Sequence, residues 1–555
     1  MTQLEWNAPG LGRWALDRSH INQPGTLLIQ RIHVHGVAAG TREMFEFMGA
    51  PLDALEFRFV NGLIYSRIRP LIAPDKPAAK LPPLPLLSLA SRIHPAMRKR
   101  RKAAERTLVS RPWREVAAEW GRPGGRRDEI TARNLVLQGV DRASLSDDGL
   151  VDHVLETIAH AHDMMRLHFW LHGFDLGPIG FLLYSAATWG VERGDLVPLL
   201  EGASPSTSEA ERQLLRIKNA VDASGRRPTN LDEMRGLSPE ISDLIDGYLQ
   251  RRGALIFSRY DIDGLCLNEA PDVLFASIMA ARDTSSQDAE VAERVDRLTS
   301  AVRERIPEDQ RSTFDDMLAE ARVAMDLRDD NGPHTLQWPN GIMRLALLEL
   351  GRRLVARGLI HDPSHALELD EPEITIELFG GRGPSADELA RRARWRAEAD
   401  VSDAPRVLGT PEPPPPLHVL PAAMAHIAGG MQAILAEAGM DGEVRTTGLF
   451  GIGIGSGVHR GRVCRADSPE EAIAHLGDGD VLVVPCTTPA YNMVLAMAGA
   501  VVTAEGGVLS HAAVLARELG IPAVIGAPQA MNELRDGMIV DVDAVAGEIR
   551  IVADA

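Results

Sequence analysis

The stretch that most restricts how this chain can fold lies near the C-terminus, Thr503 to Gly526, TAEGGVLSHAAVLARELGIPAVIG. Ahead of it, Val481 to Val484 and Ala500 to Val502 are apolar, β-branched runs of strand length. Ala512 to Leu519 is built from strong helix formers, so the segment is predicted to run strand, glycine loop, helix. Ser510 is the expected N-cap, which places His511 at the first helical position, where unpaired backbone N–H groups point outward. Such a helix start favours anions. Gly506 and Gly507 allow positive φ and let the backbone approach a ligand with no Cβ in the way. A phosphoryl group on the His511 imidazole would meet N–H donors and the positive end of the helix dipole, together worth up to about 2 kcal/mol in a partly buried setting. Glu518 falls on the same helical face as His511 and is expected to orient the ring, whereas Arg517 lies about 120° round the helix and reads as an anchor of the helix end before it reads as a phosphate ligand. The plainer alternative is a helix start that carries an ordinary solvated histidine.

A chain of 555 residues exceeds what one core usually supports, so two or three domains are expected. The formal net charge of -18 argues against a general nucleic-acid binder. Only Cys266, Cys464 and Cys486 are present; their spacing fits no metal site, and a reducing compartment is expected. The N-terminus, MTQLEWNAPGLGRW, lacks a basic segment followed by an apolar core, and no stretch reaches about 18 apolar residues. The expectation is a soluble cytoplasmic protein that binds neither nucleic acid nor membrane.

Along the chain, Thr26 to His35 is β-branched and aliphatic, and Asn61-Gly62 between two apolar runs signals a hairpin. His33 and His35 form a His-x-His pair; on a strand both rings would share a face at chelating separation. No carboxylate or cysteine pattern completes a metal site there, so a substrate-pocket or polar-core role is preferred and no metal is expected. Met97 to Arg106, MRKRRKAAER, is a basic run, read as a solvated helix face or as a docking surface for an acidic partner. From about Pro112 to Arg396 the pattern is mainly helical. Val151 to Phe174 holds five histidines. His153 and His160 share one helical face, as do His168 and His172. With Phe-Trp-Leu between the latter pair, zinc chelation is a poor reading. His160, His168, Trp170 and His172 are instead candidates for an acceptor pocket in which a histidine acts as general base on a hydroxyl. Surface and core residues of an ordinary helix are the alternative. Val407 to Pro421, with four consecutive prolines from Pro413 to Pro416, reads as a semi-rigid linker. The Gly-x-Gly-x-Gly in Gly448 to Gly461 has no helix-forming segment after it, so a dinucleotide fold is not indicated.

The segment Thr503 to Gly526 resembles the signature of the phosphohistidine, or swivelling, domain of the phosphoenolpyruvate-utilising enzymes. Gly506, Gly507, Ser510, His511, Ala512, Ala513, Ala516, Arg517, Gly520, Ile521, Pro522, Ala523 and Gly526 carry the match. Gly479 to Val483 leading into Pro485, Thr488-Pro489, and Asp536 to Asp541 fit on either side, and Gly448 to Gly461 resembles the glycine-rich first strand of that domain. Tyr491 stands where the family has a tryptophan. The opening residues Trp14, Asp17 and His20 resemble in spacing those of the acceptor domain of rifampin phosphotransferase and phenylphosphate synthase, which adds Asp17 and His20 to the acceptor-pocket candidates beside His33 and His35. Leu199 to Ser206 and Arg344 to Ile360 resemble that domain too.

The resemblance implies an α/β multidomain protein. A mainly helical acceptor-substrate domain, residues 1–405, would be joined by a proline-rich linker and hinge, 406–440, to a compact swivelling domain, 441–555. It implies that His511 is the phosphorylated residue, supported by Gly506, Gly507, Ser510, Arg517 and Glu518. Neither the ATP-grasp domain of related enzymes nor a phosphoenolpyruvate-binding barrel, which would need roughly 250 residues, is recognisable. The expectation is therefore no cofactor bound by this chain itself, with ATP and Mg²⁺ held by an ATP-grasp partner subunit and phosphoenolpyruvate left open as the donor. The acceptor is expected to be a small hydroxyl compound, phenolic or otherwise hydrophobic. The competing readings are a stand-alone phosphohistidine carrier or regulatory protein, and a metalloenzyme built on the histidine-rich helix.

Overall fold

Three strands near the N-terminus are β1 (Arg13–Asp17), β2 (Leu52–Val60) and β3 (Leu63–Pro70). In the computed structural model, Asn61 and Gly62 join the last two with φ of 49° and 76°, the two left-handed residues that a tight I′ hairpin turn requires. The structure describes residues 4–17, 21, 23–76, 80–283, 285–437, 449–467, 469–487, 491–495, 497–508 and 510–553. With β4 (Val407–Gly409) these strands form an antiparallel sheet in the order β2-β3-β1-β4.

The chain separates into two compact units. The first comprises Met1–Gly177, Ala254–Leu265 and Asp330–Gly429; the second comprises Pro178–Gly253, Cys266–Asp329 and Gly430–Ala555. In the first unit the sequence between β1 and β2 is helix, Leu27–Met48, not the strand that its β-branched start indicates. The cause is tertiary. A Cβ on Gly36 would meet Met165 Cγ at 2.4 Å and one on Gly40 would meet Arg166 O at 2.2 Å, so only glycine lets this helix lie against the Asp147–Trp189 helix at such close range. Ile29, Ile32 and Val37 then enter one core with Ile158, Met165, Leu347 and Leu350. At about 1.5–3 kcal/mol for each fully buried aliphatic side chain, that burial outweighs a strand preference spanning only about 1 kcal/mol. The expected strand geometry of His33 and His35 fails with it: two residues apart on a helix they diverge, His33 buried and His35 exposed.

The proline run belongs to the first unit and is strapped to it at both ends. Arg67 grips the Glu412 carboxylate through Nε and Nη2 at 3.0 and 3.1 Å, and Ser91 Oγ donates to Val419 O at 2.7 Å. Beyond it the chain forms a helix over Ala422–Glu437.

The second unit holds β5 (Ile452–Ile454), β6 (Val458–Arg465), β7 (Val481–Val484), β8 (Ala500–Thr503), β9 (Ala523–Ile525), β10 (Ile539–Asp543) and β11 (Glu548–Ala553). They make one sheet in the order β11-β10-β6-β7-β8-β9-β5, parallel from β6 to β9 and antiparallel at both edges. Every residue of β7 and β8 is buried, as expected of central parallel strands covered on both faces. Leu482, Val484 and Val501 pack with Ala512, Leu515 and Ala516 on one face; Val481, Val483 and Val502 pack with Ala530, Leu534 and Val540 on the other. Helices including Pro205–Ala223, Pro239–Arg252 and Ser285–Arg305 complete this unit. Among the described residues no helix is long and apolar enough to cross a membrane.

Candidate functional site

The strand, glycine loop and helix come together at the carboxyl end of β8. The helix spans His511–Leu519, and the Ser510 side chain, in extended backbone conformation, accepts from Ala513 N as its cap. Gly506 has a φ of +119°; a Cβ there would crowd Ser510 Oγ at 3.0 Å and Ile525 Cγ2 at 3.1 Å, so this turn excludes other residues on two counts. Buried Thr503 fastens the loop, donating to Glu505 O at 2.7 Å and accepting from Gly526 N at 3.3 Å. Gly507 is buried, and its carbonyl accepts from Ser510 N at 2.9 Å.

His511 is half-buried at the helix start, and its Nδ1 lies 3.0 Å from Thr487 Oγ1. When Nδ1 carries the proton and donates it to the threonine oxygen, the lone pair falls on Nε2, the arrangement a nitrogen nucleophile needs. Burial pushes the imidazole pKa down to about 3, helped by the Arg328 guanidinium, so the ring is neutral at physiological pH. Arg517 anchors the assembly: its Nη1 donates to Val508 O at 2.6 Å and its Nε faces Glu201 Oε1 at 3.6 Å. It braces the loop that carries Ser510. The Glu518 side chain lies outside the described residues. Thr487 and Arg328 were not picked out by sequence reasoning. Thr487 stood one residue from the flagged Thr488-Pro489, whereas nothing local marks an arginine so far away in the chain.

The acceptor-pocket candidates divide into three places in the first unit. The first is a buried polar network. His172 Nδ1 meets both carboxylate oxygens of Asp175, at 3.1 and 3.2 Å; Asp175 is wholly buried and also accepts from Asn331 Nδ2 at 3.0 Å. Thr335 Oγ1 donates to Asn331 Oδ1 at 2.8 Å and lies 3.0 Å from His168 Nδ1. The His168 and His172 rings are 4.6 Å apart, edge to face. Thr335 sits in a π-helical turn, Pro333–Gln337, a distortion frequent at functional sites. Asp175, Asn331 and Thr335 also went unflagged; only Asp175, one helical turn after His172, left a sequence trace.

Second, His33 and His168 line one small cavity with Phe57, Phe169, Tyr260 and Asn340; its free volume is about 20 Å³, enough for a water and not for a phenol. Third, Trp170 points elsewhere, packing on Phe174 at 4.5 Å and Phe47 at 6.5 Å. Of the remaining candidates, His160 is a core residue. Its Nε2 meets Asn134 Oδ1 at 2.7 Å, and burial pushes its pKa down to about 4, helped by Arg133. His35 is exposed beside His162, Asp17 is a buried residue of β1 aligned with Ile64, and His20 lies outside the described residues. Among the described residues no cluster of three His, Cys, Asp or Glu side chains is placed to hold a metal ion.

Residues 476–547, which hold β7 to β10 and the His511–Leu519 helix, match the family model of the PEP-utilising enzyme mobile domain. The chain is similar to the uncharacterised phosphotransferase YvkC of Bacillus subtilis, 33% identical over 245 residues, covering 44% of this chain and 28% of the relative. It is similar to phosphoenolpyruvate synthase of Aeropyrum pernix, 46% identical over 113 residues, 20% of this chain and 13% of the relative. Chondramide synthase cmdD of Chondromyces crocatus is 26% identical over 591 residues, 99% of this chain and 14% of that protein. The chain thus spans under a third of the length of each.

Proposed function

We propose that this chain is the carrier and acceptor part of a phosphotransferase: His511 receives a phosphoryl group at a nucleotide site on an ATP-grasp partner subunit and delivers it to a hydroxyl of a small, hydrophobic acceptor. The observation that carries this reading is the fixed His511–Thr487 pair at a capped helix start inside a matched mobile domain. In the first half-reaction the Nε2 lone pair attacks the β-phosphorus of ATP. The nitrogen–phosphorus bond forms, the bond to the AMP oxygen breaks, and water takes the γ-phosphate as inorganic phosphate. In the second, the acceptor oxygen attacks phosphorus, the nitrogen–phosphorus bond breaks, and the acceptor proton passes to a base.

The chain's contribution to both steps is alignment and charge compensation, which dominate phosphoryl transfer. The N–H groups at the helix start and Arg328, whose charge acts on the imidazole, are the donors we assign to the phosphoryl group. For the base we favour His172. A wholly buried carboxylate holding Nδ1 leaves Nε2 to accept a proton, the same division of labour as in other His–Asp pairs. The polyproline strap is anchored within the first unit, so the carrier's pivot is assigned to the part of the 406–440 segment beyond Val419.

A stand-alone carrier is the competing reading. The similarity to chondramide synthase runs over 99% of the chain, so helical region and mobile domain recur together, which favours their acting jointly. Incubating the chain with an ATP-grasp subunit, Mg²⁺ and β-labelled ATP, then adding phenol, separates the readings. The proposed function gives label on His511 that moves to phenol; a pure carrier keeps it.

A further inference from the structure

On the Pro95–Ser110 helix, Lys102 and Arg106 are both exposed and stand one helical turn apart on a single face. They border a cleft of about 580 Å³ whose lining includes Phe47, Lys99 and Trp170, a size suited to a small organic ligand. The aromatic wall is fixed from below: Phe174 is fully buried and holds Trp170 at 4.5 Å and Phe47 at 5.5 Å. Phe47 itself stays 40% exposed, so this wall presents apolar ring surface to the cleft.

The charges around it are unequal. Of the two lining carboxylates, Glu46 is taken by Lys99 at 2.5 Å and Glu43 by Arg166 at 2.7 Å. No carboxylate among the described residues pairs with Lys102 or Arg106. Two like charges at this spacing repel each other, and a bound anion would relieve that. We propose that this cleft binds a planar aromatic anion, an aryl carboxylate or aryl phosphate, with its ring against Trp170 and Phe47 and its charged group on Lys102 and Arg106. Ring stacking supplies the preference for a flat ligand and the cation pair its charge. His172 is about 200° round the helix from Trp170, so the cleft opens on a different side from the His172–Asp175 network, and the proposal does not rest on phosphorylation of His511.

Calorimetric titration of the full chain with benzoate, phenyl phosphate, phenol and inorganic phosphate tests it. The expected result is binding of at least one aromatic anion, with phenol and inorganic phosphate each at least about tenfold weaker, since one lacks the charge and the other the ring. The double substitution Lys102→Gln with Arg106→Gln, confined to exposed side chains, should weaken that binding about tenfold or more and flatten its salt dependence. His511→Ala should leave it unchanged. The proposal is overturned if no aromatic anion binds at millimolar concentration, if inorganic phosphate binds as tightly as phenyl phosphate, or if the double variant binds like the parent. An acidic protein surface docking here instead would give the first of these outcomes.

Discussion

In the proposed mechanism the smallest deciding piece is one hydrogen bond, between His511 Nδ1 and Thr487 Oγ1. Thr487→Val keeps shape and removes the oxygen. Losing one hydrogen bond of about 1–1.5 kcal/mol should slow phosphoryl uptake by His511 roughly tenfold, measured as the initial rate of label incorporation, with the melting temperature little changed. An unaltered rate would mean that the threonine does not set the tautomer. Buried histidines also make stability depend on pH. His160 falls to about 4 in the folded chain against about 6.5 unfolded. Between those values the unfolded chain binds a proton that the folded chain excludes, so its contribution is fully present above pH 6.5 and is lost as pH falls toward 4. The loss is at most about 3 kcal/mol, and His511 adds to it in the same direction, reaching lower pH. Thermal melts of His160→Gln should show a shallower decline from pH 7 to pH 4.5 than the parent; parallel curves would contradict the assignment.

Among the elements, the His511–Leu519 helix was legible in the amino-acid sequence. Ser510 as cap, a glycine turn ahead and Gly520 with φ +66° behind are local rules acting on local residues. Ser510→Ala should cost about 1 kcal/mol. Gly506→Ala should cost about 1–3 kcal/mol, because it combines a left-handed backbone with a crowded Cβ; chemical denaturation of both variants checks the order. The Asn61-Gly62 hairpin was legible for the same reason. The Leu27–Met48 helix was not, since what makes it a helix is its contact with the Met165 and Arg166 region, and no window of sequence around Thr26 to His35 contains that information. The acceptor side shows the same limit. The histidine pattern located the helix, but whether His168, Trp170 and His172 cooperate depends on Asn331 and Thr335, far along the chain, and these draw the two histidines together while Trp170 faces another wall.

For the molecule as a whole, His511 and the histidine network belong to different compact units, and the proposed mechanism has His511 visiting two sites. The two halves should then fail separately. His172→Gln should leave charging of His511 intact while slowing discharge to phenol by about 10²–10⁴, the usual contribution of general base catalysis; slowed charging instead would place His172 outside the acceptor step. The central claim is most directly tested by isolating the chain after incubation with the proposed ATP-grasp partner, Mg²⁺ and β-labelled ATP, and mapping the label by mass spectrometry. The account predicts one acid-labile, alkali-stable phosphoryl group on His511 and none in His511→Ala; a label that survives this substitution, or its absence from the parent chain, would contradict it.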